Sequence, residues 1–337
     1  MQFRFFRLLS LISIFLILAC HNNKTQVVDD NPVFTAPELS PITEKIHKDP
    51  DNARLYFERG RILNKMQLDT LALADFKKAA KLDSTKAEYF SAVGNLLFDH
   101  KDITGSIQWI KKAIELDPKD PVAHLKMAKL FVYIQDYPKA FNEINLVLRE
   151  NNVYNPEAYF LKALIYRDLK DTSKSISEFQ SAINADPNYK DAYVELGEMF
   201  SAKKNPIALK YFDDAFKLDT LDVFPLYAKG MYYQAQGKYE EAKLEYKNCI
   251  LHNNQYANAY FNIGWILMQQ DSLDKAWRHY DLVTKIDPAN ADAYYNRGLC
   301  SELMNKKQDA VSDYQQALIF DTAYSDAKNA LKRLHAR

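Results

Sequence analysis

The chain has 337 residues, with 44 Lys plus Arg against 44 Asp plus Glu, so it has no bulk electrostatic pull toward nucleic acid or a polyanionic surface. Hydrophobic residues make up 47%, enough for a sizeable core, and the 8 glycines are too few for a sheet sandwich full of tight turns. The densest basic stretches are pairs, Lys77-Lys78 and Lys203-Lys204, which read as solvated helix faces.

In chain order, the first element is an address. Arg4 and Arg7 form a positive region ahead of an apolar run from Leu8 to Leu18. That run is shorter than the roughly 20 residues a spanning helix needs, so residues 1–19 read as a signal peptide, with an uncleaved anchor over 3–19 as the alternative. Ile17-Leu18-Ala19-Cys20 resembles the bacterial lipoprotein cleavage box. The resemblance implies lipidation of Cys20 and a membrane anchor. His21, in place of an inner-membrane retention Asp, points to the outer membrane of a bacterial envelope, with the body in the periplasm or at the cell surface. Residues 20–40, polar and proline-bearing, read as the lipidated Cys and a flexible tether.

From residue 41 the sequence repeats. Gly60, Gly94, Gly197, Gly230, Gly264 and Gly298 fall in one phase, and Ala128 and Ala163 fill the two missing places, so a small residue recurs about every 34 residues. An aromatic usually precedes it by four: Tyr56, Phe90, Tyr159, Tyr193, Tyr260, Tyr294. Twelve residues after it stands another small residue, such as Ala72, Ser106, Ala140, Ser175 or Ala242, and four further an aromatic, as at Phe76, Phe179, Tyr246, Tyr280 and Tyr314. Asp-Pro often closes the unit, as at Asp117-Pro118, Asp186-Pro187 and Asp287-Pro288.

This pattern resembles the tetratricopeptide repeat over residues 53–324, in units 53–86, 87–120, 121–155, 156–189, 190–222, 223–256, 257–290 and 291–324. The resemblance implies an all-α, right-handed superhelical solenoid of about eight helix-turn-helix repeats, stable through stacking. Residues 41–52 match a preceding half-repeat and read as an N-terminal cap. Residues 325–337 read as a C-terminal capping helix in which Lys332, Arg333 and Arg337 suit the helix end.

No catalytic constellation is visible, and no cofactor or metal is expected. The repeat uses six of the glycines, and Gly105 and Gly237 belong to no phosphate loop or dinucleotide fingerprint. Neither HExxH nor paired CxxC occurs, the seven histidines are scattered, and carboxylates fall mostly at solvent-facing helix places. Cys249 and Cys300 lie too far apart in the stack for a disulfide and read as small buried hydrophobes. Trp109 stands where other repeats carry Asp75, Glu143, Glu178, Glu245 and Asp313, which places it on the convex surface.

In the family the first helices line the concave face and carry ligand contacts. That face is mixed and polar at Phe57, Arg61 and Asn64 and at Ser91, Asn95 and Phe98. It turns apolar in the last three repeats, where Tyr227, Met231, Phe261, Trp265, Met268, Tyr295 and Leu299 suggest a groove for a partner's peptide or helix. The same side chains could instead pack between adjacent first helices. Asn262 and Asn296 resemble one place of the family's carboxylate clamp, but Phe57 and Tyr227 stand where its Lys is needed, so that function is not carried over. The expected function is a membrane-anchored, non-enzymatic protein-interaction scaffold in an envelope assembly; the alternative is a glycan-binding lipoprotein using Trp265 and nearby tyrosines.

Overall fold

The computed structural model describes residues 31–150 and 155–335. The expected signal peptide 1–19, the expected lipidation site Cys20, residues 21–30 and Arg337 lie outside the described residues. Within them the chain is an all-α solenoid of 18 α-helices preceded by a 3-10 turn at Pro32–Thr35. The helices are α1 (Ser40–Lys48), α2 (Ala53–Lys65), α3 (Asp69–Leu82), α4 (Ala87–Asp99), α5 (Ile103–Leu116), α6 (Pro121–Tyr133), α7 (Tyr137–Glu150), α8 (Pro156–Asp168) and α9 (Thr172–Ala185). They continue with α10 (Lys190–Ala202), α11 (Ile207–Leu218), α12 (Phe224–Gln234), α13 (Tyr239–His252), α14 (Ala257–Gln269), α15 (Leu273–Ile286), α16 (Ala291–Leu303), α17 (Lys307–Phe320) and α18 (Ser325–His335). The described chain forms two compact units, one up to Ala123 and one from His124 on.

Each repeat makes its turn in the same way. The residue after the first helix's cap is left-handed: Gln67, Lys101, Gln135, Lys170, Lys204, Asp271 and Asn305 all have φ between 54° and 63°, and Gly237 serves in the sixth repeat at φ 73°. The next amide then reaches back five residues, as in Leu68 N–H to Leu63 C=O (2.9 Å) and Lys306 N–H to Ser301 C=O (2.8 Å), which satisfies the carbonyls the helix end leaves open. The chain bends sharply enough for the second helix to fold back on the first.

Close approach of the two helices depends on the small residues. A Cβ added at Gly60 would come within 2.7 Å of the Phe76 ring, and one at Gly94 within 2.6 Å of Ile110. Where the second helix carries Ser instead of Ala, its hydroxyl donates to the facing carbonyl: Ser106 to Gly94 (2.7 Å) and Ser175 to Ala163 (2.9 Å). Cys249 and Cys300 are fully buried, and burial pushes both thiols up to about 12.

A second register, sixteen residues long, links the helices of one repeat through charge. Arg59 forms a bidentate pair with Asp75 (2.7 and 2.9 Å), Lys162 meets Glu178 (2.7 Å), Lys229 meets Glu245 (3.0 Å) and Arg297 meets Asp313 (3.1 and 2.6 Å). In the third repeat Glu143 bonds His124 instead, at 2.6 Å. These carboxylates are therefore not the solvent-facing groups the sequence suggested. Asp75, Glu245 and Asp313 are buried. Trp109 is corrected with them. It sits sixteen residues after Val93 in the place of the ion pair, half-buried with its ring 5.5 Å from Phe90. An apolar pair has replaced a charged one.

The ends also differ from the sequence reading. The expected tether over 20–40 does not extend to residue 40: Phe34 and Leu39 are buried in the first repeat's core, and the Phe34 ring lies 4.0 Å from the Arg59 guanidinium. At the other end Arg333 does not merely complement a helix terminus. It reaches Glu302 of α16 through two bonds of 3.0 and 2.7 Å.

Candidate partner-binding face

The face is made by one side of α12, α14 and α16, and its seven candidates divide by what they touch. Tyr227, Phe261 and Tyr295 occupy the same place in successive repeats, and all three are half-buried. The Tyr227 ring lies 5.6 Å from Tyr246 and 5.3 Å from Tyr256; Phe261 meets Tyr280 edge-on at 5.3 Å; Tyr295 lies 5.5 Å from Tyr314 and 5.1 Å from Tyr324. Phe57 and Phe160 make the same double contact, with Phe76 and Tyr89 and with Phe179 and Tyr189. Each of these rings thus packs the first helix against the second, and all but Phe261 also meet a ring of the segment that follows. For the three aromatics at this place the packing role is realised.

The remaining four are more open in chemistry. Met231 is 48% exposed. Trp265, Met268 and Leu299 are half-buried, and the Trp265 ring meets Tyr239 edge-on at 6.0 Å. Trp265 and Met268 also rest on the core of the sixth and seventh repeats. The exposed and half-buried apolar strip therefore runs from Met231 through Trp265 and Met268 to Leu299, with Tyr227, Phe261 and Tyr295 beside it.

Beneath the strip lies a row of tyrosine hydroxyls, and Met268 interrupts it. Tyr246 donates to Gln234 (2.7 Å) and accepts from Asn262 (3.1 Å), whose amide also reaches the Tyr227 hydroxyl (3.2 Å). Tyr314 donates to Glu302 (2.8 Å). Tyr280, between them, is fully buried and its hydroxyl has no protein partner. The reason is sequence: Met268 stands where its neighbours have Gln234 and Glu302. Asn296, the counterpart of Asn262, donates to the Asp292 carbonyl instead (2.8 Å). Burial raises the Tyr227 hydroxyl above the ordinary phenol value and the Tyr280 hydroxyl well above it, so both stay protonated.

Replacing Met268 by Gln is expected to supply the missing acceptor. The gain should be about 1 kcal/mol of unfolding free energy, the net worth of a typical internal hydrogen bond. Urea denaturation followed by circular dichroism reads it, and Tyr280→Phe in the same background should cancel it.

Two further polar atoms on the equivalent face of the second repeat, Ser91 Oγ and Asn95 Oδ1, are also buried without a partner. Among the described residues no group of three or more His, Cys, Asp or Glu could hold a metal ion, and no helix is long and apolar enough to cross a membrane.

A solenoid of helix pairs in constant phase defines a repeat protein of the scaffold class. The tetratricopeptide repeat family matches residues 53–86, 87–120, 156–189, 227–291 and 291–319, more than half of the sequence, and the chain belongs to it. Curated relatives include human Superkiller complex protein 3, 26% identical over 201 residues, and the Hsp70-Hsp90 organizing protein of Triticum aestivum, 25% identical over 251 residues. The alignments cover 58% and 71% of this chain but only 13% and 42% of those proteins. Among solved structures, the C-terminal part of a TPR repeat-containing protein from Cytophaga hutchinsonii superposes with a TM-score of 0.57 at 17% identity, covering 71% of this chain and 98% of that one. A tetratricopeptide repeat protein from Parabacteroides merdae gives 0.50 at 16% identity, covering 74% and 98%. These two likenesses concern the fold alone.

Proposed function

We propose that this chain is a lipid-anchored scaffold of a bacterial envelope that holds a peptide or helix of a protein partner along α12, α14 and α16. The observation that carries the binding face is the Met268 substitution. A buried hydroxyl left unpaired costs about 1–3 kcal/mol, so a thioether between polar neighbours forgoes internal stability to present an apolar group on the open side. Proteins break local rules of this kind chiefly at functional sites. Methionine and aromatic side chains are also the types that adapt to a partner's surface. The anchor rests on the Arg4 and Arg7 region, the short apolar run and Cys20.

Crosslinking in native membranes tests both parts. Met231→Glu combined with Leu299→Glu puts charge on the strip and is expected to abolish the crosslinked partner. Arg61→Glu, on the first repeat, should leave it in place. A partner retained by the first variant, with its helical content intact, removes the face from consideration. Cys20→Ser should end incorporation of labelled fatty acid and release the chain from the membrane fraction; a variant still labelled and sedimenting with membranes refutes the anchor.

A further inference from the structure

The sixteen-residue charge register is absent from the seventh repeat, and a cleft lies beside the place it would occupy. Ile263 stands where other repeats have Arg59, Lys162, Lys229 and Arg297, and His279 stands where they have the matching carboxylate. The cleft, of about 310 Å³, lies between α13 and α15. Ile263 and Leu267 of α14, nearly buried, form its apolar floor. Ile263 is two residues from both Phe261 and Trp265, about 200° round the helix, so the cleft is on a different side of α14 from the partner-binding strip.

The walls are cationic. Lys243 and Lys247 come from α13, Lys275 and Arg278 from α15. Lys243 is held by Glu240 at 2.8 Å, and Arg278 by Asp274 at 2.9 Å in a pair whose members are 72% and 63% exposed, an arrangement that water screens strongly. Neither Lys247 nor Lys275 has a carboxylate within ion-pair distance among the described residues. His279 Nδ1 is buried without a partner. Burial first, and Lys247 second, hold the imidazole below its ordinary value. In the ion-pair repeats a carboxylate stands at this place; here the groups left for an acid from outside are the rim cations Lys247 and Lys275.

The geometry points to a second binding site in this cleft, for a short acidic peptide that seats an apolar side chain on Ile263 and Leu267 and places carboxylates against Lys247 and Lys275. The floor decides against a bare inorganic anion. Such ions are gripped by converging backbone amides or a guanidinium fork, whereas this site offers point charges at the rim of an aliphatic base. A volume near 300 Å³ is at the small end for ligand pockets and suits a few residues rather than a folded surface. The site is independent of the partner-binding strip, and either can fail without the other.

Fluorescence anisotropy with the full chain and a labelled pentapeptide of sequence Asp-Glu-Leu-Glu-Asp tests it. Binding should weaken steeply with salt and drop at least tenfold in the Lys247→Ala, Lys275→Ala double variant. Lys77→Ala with Lys78→Ala should have no effect. His279→Glu places a carboxylate beside Lys247, and it should also weaken the peptide at least tenfold while leaving helical content unchanged. The Asn-Gln-Leu-Gln-Asn counterpart should not bind. The proposal is overturned if the acidic peptide does not bind at millimolar concentration, or if the double variant binds it as well as wild type. Inorganic phosphate displacing the peptide with equal or better affinity would overturn it as well, since that marks a small-anion site.

Discussion

Arg59→Ala is expected to lower the unfolding free energy by about 3–5 kcal/mol, the cost of breaking a buried pair by removing one partner. Arg59 is 2% exposed and Asp75 5%. The guanidinium engages both carboxylate oxygens of Asp75 in α3, lies within 3.4 Å of the Thr43 hydroxyl in α1 and carries the Phe34 ring on its face. Its loss strands a buried carboxylate and unseats the segment that precedes α1. Replacing both partners, Arg59→Met with Asp75→Leu, should recover more than half of that loss, because a well-packed apolar pair needs no desolvation of charge. The second repeat already works this way with Val93 and Trp109. Urea denaturation supplies the energies, and amide exchange in α1 and α2 should rise in the single variant and not in the double. A single variant within about 1 kcal/mol of wild type would show that water reaches Asp75 and that the pair is not a structural tie.

That comparison also marks what the sequence made legible. The solenoid of helix pairs could be read directly, because Gly60, Ala72, Phe76 and their counterparts fall on fixed spacings and such spacings have few other physical solutions. The charge register was present in the same rows, since 59 and 75, 162 and 178, 229 and 245, and 297 and 313 are all sixteen apart. It was missed because each carboxylate, taken alone, looks like an ordinary polar residue on a second helix. Reading the two places together would have put Trp109 opposite Val93 and exposed the lack of an acid at His279. The candidate face was half legible. An apolar run at Tyr227, Phe261 and Tyr295 is visible in the sequence, but whether a ring faces a partner or a neighbouring helix depends on Tyr246, Tyr280 and Tyr314 reaching the same space. The tether boundary was misplaced because Phe34 and Leu39 carry no periodicity and find their partners only in three dimensions.

The orphaned hydroxyl beneath the apolar strip gives a second large and selective expectation. Gly230→Ala should destabilise the chain by about 1–3 kcal/mol, the usual penalty for overpacking, whereas Gly264→Ala should be close to neutral. The added methyl at Gly230 would come within 2.6 Å of Tyr246 Cδ1 and 2.9 Å of Cζ. That ring cannot retreat, because its hydroxyl is fixed by Gln234 and Asn262 at 2.7 and 3.1 Å. At Gly264 the nearest Tyr280 atoms stand 3.1 Å away, and the Tyr280 hydroxyl is tied to nothing. A few tenths of an ångström of ring movement suffices there, and Ala then gains up to about 1 kcal/mol over Gly in helix propensity. Denaturation of the two variants side by side separates the effects. Adding Met268→Gln to Gly264→Ala carries the argument one step further: once Tyr280 is pinned as Tyr246 is, the tolerated alanine should become a destabilising one. Equal losses at the two glycines, with or without Met268→Gln, would mean that backbone separation sets the tolerance and the tyrosine hydroxyls do not.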